Sequence, residues 1–138
     1  MGMEVVISIQ KKDKMAPSNW DVFNDMPCVW WSGGSGEMAK AICRNVDYCK
    51  VDFTRLDCNL INVIKEDLRG EKSEHLKAVD LCNWMAKYSD DNDDRLEWVK
   101  NMMEHKDTIA EINRNLEELD YFLGLIDNGN ELYVGVSY

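Results

Sequence analysis

Two prolines, two histidines and no apolar run near the roughly 20 residues that cross a bilayer set the first limits on this chain. Its start has a five-residue apolar stretch, Val5 to Ile9, followed by lysines, which is the form of neither a signal peptide nor an anchor. A cytoplasmic location, in a bacterial or phage-infected cell, is the expectation. Basic residues are also few, with 16 Lys and Arg against 26 Asp and Glu and a formal net charge of −10. No basic stripe is present, so phosphate backbones and anionic lipid surfaces are repelled, and neither direct nucleic-acid binding nor membrane association is expected.

The five cysteines, Cys28, Cys43, Cys49, Cys58 and Cys82, are odd in number and contain no Cys-x-x-Cys, which matches no disulfide framework and suits a reducing compartment. Cys49, Cys58 and Cys82 each sit beside apolar residues and read as core. Ser-His-Asp order, H-E-x-x-H and a Walker loop are all missing. His75 falls in a first helical turn and His105 in a last one, so both read as surface residues. No catalytic residue, metal site or cofactor is assigned.

What is there is enough for one domain. The 138 residues are 45% apolar and 30% charged, close to an ordinary globular protein. Residues 1–56 carry seven basic and seven acidic residues, whereas 57–138 carry nine and nineteen, so the second part holds the whole negative excess.

Val5, Ile7 and Ile9 alternate with Val6 and Ser8, predicting a strand over about 3–10. Ser18 caps a short helical turn ended by Pro27, Cys28 to Trp31 form a second strand, and Ser35 caps a helix over about 36–45. Cys49, Val51 and Phe53 alternate as a third strand. From Asp57 the period turns helical and predicts four helices in series. The first ends at Gly70, and the second opens at Ser73 with Ala78, Leu81, Cys82 and Met85 inward. The third covers 93–106 with Leu96, Val99 and Met103 as its apolar side, and the fourth opens at Thr108 with Glu111 at capping-box spacing. Its stripe of Ile109, Ile112, Leu116, Leu119, Leu123 and Ile126 runs to Asn128-Gly129, after which Leu132, Val134 and Val136 alternate as a final strand. The reading is a single α+β domain over 1–138. Its small mixed or antiparallel sheet joins the N-terminal strands to the C-terminal strand, and about four helices from the second half cover one side.

Two segments are candidates for function. In Ser32-Gly33-Gly34-Ser35-Gly36, an apolar run enters glycines and leaves as a helix, with Lys40 one turn on, a form that can cradle phosphate. Gly34 to Ala39 resembles the G-x-G-x-x-A dinucleotide-binding fingerprint, and Ser32-Gly33-Gly34 resembles the start of the ATP-pyrophosphatase loop. Each resemblance covers about a dozen residues and implies nucleotide binding. The bland alternative is a tight strand-to-helix turn. The other segment is acidic, with Asp90, Asp91, Asp93 and Asp94 continuing to Glu97 and Glu104. It is no calcium loop, because Arg95 stands at the EF-hand glycine position and Asn101 at its bidentate glutamate. These carboxylates, with Glu117 and Glu118 on the last helix, offer a negative surface to a basic partner protein. Trp30 and Trp31 point to opposite faces of a strand, which leaves one available for contact.

The leading expectation is therefore a non-enzymatic acidic protein that binds another protein and occludes its basic surface, as an inhibitor, immunity or anti-defence protein does. The alternative is a nucleotide-binding or nucleotide-sequestering domain using residues 32–36 and Lys40. A homodimer formed through the last helix is the third.

Overall fold

Alternation along the first strand decides which way the sheet faces. In the computed structural model, which describes residues 2–137, β1 (Glu4–Lys11) pairs antiparallel with β2 (Cys28–Gly33) on one side and β4 (Asn130–Ser137) on the other. A short β3 (Phe53–Arg55) adds antiparallel to the outer side of β4, giving the order β2-β1-β4-β3. Val5 lies opposite Val136, Ile7 opposite Val134 and Ile9 opposite Leu132, so these side chains share the face that meets the helices. This is the α+β arrangement that the strand pattern predicts. The register shifts between Ile7 and Ser8, leaving Val29 as the extra residue of a bulge, and both Val29 and Trp30 pack against the core.

The second sheet face is covered too, which the alternation does not predict. Asn19 caps α1 (Trp20–Asp25) by accepting from the Val22 amide at 2.9 Å, and the helix lays Trp20 and Phe23 beside Phe53 of β3. Their rings cross Gly135, where a Cβ would come within 2.9 Å of the Phe23 ring. A glycine in β4 is thus what lets this aromatic group lie on the sheet and bury Tyr133 and Ser8.

Where the sequence predicts four helices in the second half, the chain forms two. α3 (Cys58–Tyr88) has 31 residues and α4 (Asn92–Asp127) has 36. No proline follows Pro27, so nothing after it removes a backbone donor, and the glycine and serine punctuation is overridden. Asp57 caps α3 through the Leu60 amide at 2.8 Å. Gly70 lies inside that helix rather than at its end. Thr108 lies inside α4 and donates back to the Glu104 carbonyl at 3.2 Å. At the far end Gly129, with φ +88°, stops α4 in the left-handed region that favours glycine, as Asn128-Gly129 predicts.

The remaining helix, α2 (Glu37–Asn45), buries Met38, Ala39, Ala41 and Ile42 between the sheet and the long helices. Its cap is Gly36, with no side-chain cap bond, so Ser35 does not take the predicted role. At its other end Arg44 donates to both Asp67 oxygens at 2.7 and 3.1 Å, and Asn45 donates to the same carboxylate at 2.9 Å. The Arg44 hydrogen bonds hold the Asp67 carboxyl below its ordinary value against the opposing effect of partial burial, and Asn45 adds to the lowering.

The core cluster reaches Leu68 on α3 and resumes at Ile112 on α4. The 20 residues beyond on each helix form an antiparallel hairpin arm about 30 Å long. Along it Cys82 and Ala86 are buried, whereas Leu81, Leu96, Val99 and Met103, expected to face inward, are exposed. Cys49 and Cys58 are likewise exposed rather than core, and none of the five cysteines is bridged. Among the described residues no helix is long and apolar enough to cross a membrane.

Two predictions test this frame. A Cβ on Gly70 meets nothing within 4 Å, so Gly70→Ala should stabilise the protein by about 0.5–1 kcal/mol in urea unfolding. A helix end at Gly70 in the left-handed region would make the same change destabilising. Because the folded Asp67 carboxyl sits below its unfolded value, its contribution is present above that value, about 3.9, and is lost as pH falls. The stability gap between the parent and Asp67→Asn, measured from pH 7 to 3, should hold its neutral value down to about pH 5 and narrow progressively from there toward pH 3.

Candidate functional site

The arm ends in a three-residue connection, Ser89 to Asp91. Asp91 is the cap of α4, accepting from the Asp93 amide at 2.8 Å, and Arg95 folds back to donate to the Ser89 carbonyl at 2.7 Å. Asp91 therefore has a structural task. Asp90, Asp93, Asp94 and Glu97 are exposed around it.

Beside these carboxylates are exposed apolar side chains, among them Leu81, Leu96, Val99 and Met103, which the helical pattern places inside. Leu81, Trp84 and Tyr88 recur at three and four residues along α3, on the side of the helix away from the buried Cys82 and Ala86. Trp84 is 57% and Tyr88 61% exposed, with ring centroids 5.0 Å apart, and the Lys87 ammonium lies 5.6 Å from the Tyr88 ring. On α4, Leu96, Val99 and Met103 are exposed as well. The sequence pattern offers a hint of this, since the arm has more apolar positions than one helix-to-helix seam can cover.

The other predicted partner residues lie elsewhere. Glu104 is exposed about 15 Å along α4 from Asp94, and Glu117 and Glu118 are about 36 Å from Asp93. Those two glutamates line a cavity of about 560 Å³ with Val29, Arg114 and Tyr121, and Glu118 accepts from Asn115 at 3.1 Å. Neighbouring Asp120 is paired with Lys65 at 2.6 Å. Trp30 is half-buried against the core, and Trp31, on the opposite face of edge strand β2, is 58% exposed. The acidic residues thus fall on two surfaces at opposite ends of α4.

In the Gly-rich turn the Gly34 amide donates to the Met3 carbonyl at 2.7 Å, and a Cβ on Gly34 would lie 3.0 Å from the Met3 Cβ. A Cβ on Gly36 would lie 3.1 Å from the Ser32 hydroxyl. Close approach of the turn to β1 and to itself accounts for these glycines. The start of α2, where a phosphate would sit, already faces a carboxylate, because the Glu37 amide donates to Glu111 Oε1 at 3.4 Å. Lys40 is paired with Glu37 at 3.6 Å. Glu111, expected to box the start of its own helix, thus serves another helix.

The histidines are the clearest departure from the surface reading. His75 and His105 face each other across the hairpin, half-buried, with their Nδ1 atoms 2.9 Å apart. One ligand atom each of Glu37, Glu71 and His75 lies within 4.8 Å of the others. Glu71 and His75 are one helical turn apart and legible as a pair, whereas Glu37 arrives from α2 by tertiary packing alone.

Elsewhere, an apolar groove of about 640 Å³ is lined by Ile9, Met15, Val22 and Met26, with the Gln10 amide donating to the Met15 carbonyl at 2.9 Å. Burial pushes the Cys43 thiol up, opposite to the shift that activates a nucleophile. Burial likewise raises Tyr133, helped by its hydrogen bond to Glu131.

With a carboxylate at the head of α2, ATP or NAD at millimolar concentration should leave the melting temperature unchanged. A saturable rise, abolished by Gly34→Val, would restore the nucleotide reading. The chain matches no protein-family model, no curated protein and no solved structure.

Proposed function

We propose that this protein is a non-enzymatic binding protein whose α3–α4 arm docks on a basic surface of a partner protein and occludes it, in the manner of an inhibitor, immunity or anti-defence protein. The observation that carries the reading is the composition of the arm. About 30 Å of hairpin beyond the core presents Leu81, Trp84, Tyr88, Leu96, Val99 and Met103 beside four exposed carboxylates. Single exposed apolar side chains are ordinary on a protein surface, but seven large ones on one arm, with Leu76 as the seventh, are the composition of a contact surface. The charge selects the partner. Asp90, Asp93, Asp94 and Glu97 speed encounter with Lys and Arg and disfavour acidic surfaces, while Trp84 and Tyr88 supply desolvated contact area. Unbridged cysteines suit a reducing, cytoplasmic setting, in a bacterial or phage-infected cell.

The test begins with capture of partners on the tagged protein at low salt and at about 0.5 M salt, where exposed charge attraction is screened. For a captured basic protein, the association rate is then compared between the parent and a variant carrying Asp90→Asn, Asp93→Asn, Asp94→Asn and Glu97→Gln. Asp91 is kept because it caps α4. The expected result is an on-rate about 10-fold or more lower at low salt, with a flatter salt dependence. An unchanged rate and salt slope in the folded variant would sink the proposal.

A further inference from the structure

Three helices contribute to the half-buried polar cluster at the root of the arm. Glu37 is the first residue of α2, Glu71 and His75 are on α3, and His105 reaches in from α4. Two carboxylates and an imidazole with ligand atoms within 4.8 Å of one another are close enough to share one ion. The histidine contact supplies a second, independent feature. At 2.9 Å between two Nδ1 atoms, one ring nitrogen donates and the other accepts. With His75 donating, its Nε2 holds a free lone pair and the ring is fixed in place. In that tautomer an ion held at Nε2 would have an imidazole ligand steadied through its other nitrogen, as metal-ligating histidines are.

The surrounding charges are of both signs, Lys40 and Arg44 opposing a cation and Glu111 favouring it. Lys40 lies 3.6 Å from Glu37 as an i,i+3 ion pair with a half-exposed lysine, a weak contact that a divalent ion can displace. Arg44 also acts on Glu71 and Glu37 from a distance, although its hydrogen bonds go to Asp67. A third carboxylate, Glu111, stands at the Glu37 amide and adds negative charge beside the cluster.

We propose that Glu37, Glu71 and His75 bind a divalent transition-metal ion, with His105 as the residue that positions the His75 ring. The imidazole sets the chemical class, because magnesium and calcium prefer all-oxygen sites whereas nitrogen ligands suit zinc, cobalt, nickel and their neighbours. Three protein ligands leave further coordination positions to water. The ion ties the head of α2 to the middle of the hairpin.

The probe is Co²⁺, titrated into the full chain after chelator treatment and followed by visible absorption. One equivalent should bind, giving d–d bands without the thiolate-to-cobalt charge-transfer absorption that an exposed cysteine would produce. Glu71→Gln and His75→Gln should each weaken binding more than about 10-fold with an unchanged circular dichroism spectrum, and His105→Asn should weaken it about 10-fold to 100-fold. A tenfold excess of Mg²⁺ should not compete. Thiolate absorption, equal affinity in the Glu71 and His75 variants, effective competition by Mg²⁺, or no saturable binding by the parent up to about 1 mM would each overturn the proposal. The parent measurement stands even if a variant fails to fold.

Discussion

Asp67 of α3 receives two hydrogen bonds from Arg44 and one from Asn45 at the end of α2, while Glu111 of α4 meets the first amide at its start. Each contact puts negative charge where a short helix has something to offer it, a positive N-terminal end or the basic side chain of its last turn. The pair of contacts fixes a nine-residue helix against two long ones from opposite ends. Its apolar face, Met38, Ala39, Ala41 and Ile42, then fills the space between hairpin and sheet. Moving α2 would open the core on one side and scatter the Glu37–Glu71–His75 cluster on the other. The Gly-rich turn belongs to the same constraint, since Gly34 and Gly36 let the chain pass close to Met3 and Ser32 on its way into that helix.

Short-range pattern made three of the four strands legible, whereas the alternation of Cys49, Val51 and Phe53 yields a strand only over Phe53–Arg55. Alternation in β1 and β4, and the stop at Asn128-Gly129, follow from backbone geometry that a few adjacent residues determine. Helix continuity did not follow in the same way. Gly70, Ser73 and Thr108 are local stop or start signals worth about 1 kcal/mol or less each, and burial along a continuous hairpin outweighs them. Orientation on the arm was lost for a related reason. With apolar residues on more than one side of each helix, periodicity allows several inward faces, and the small Cys82 and Ala86 took the seam because they permit close helix approach. The candidate surfaces were legible as composition and not as arrangement. Asp90 to Glu97 form one acidic end because they are contiguous, whereas Glu117 and Glu118 lie toward the other end of α4 and Trp31 is exposed on edge strand β2. Glu111, Glu37 and the two histidines meet only through tertiary packing, for which one sequence carries no local signal.

The hairpin is also unequal along its length. Near the sheet, Ile61, Ile64 and Leu68 meet Ile112, Leu119 and Phe122 in the main core, but farther out the buried residues are Cys82 and Ala86. Fewer apolar contacts give the arm a lower local opening free energy than its root. With so little shape-specific packing, polar pairs bear more of the register. His75 to His105 on the arm, like Lys65 to Asp120 within the root, joins residues that face one another only in this antiparallel alignment, and a slip of one turn would part both. The His75 contact stands where the dense root gives way to the sparse arm, so polar geometry at that point governs where the tip carboxylates and the Trp84–Tyr88 pair are held. An arm that is loosely packed yet fixed in register can adjust its exposed side chains to a partner without losing the alignment that presents them.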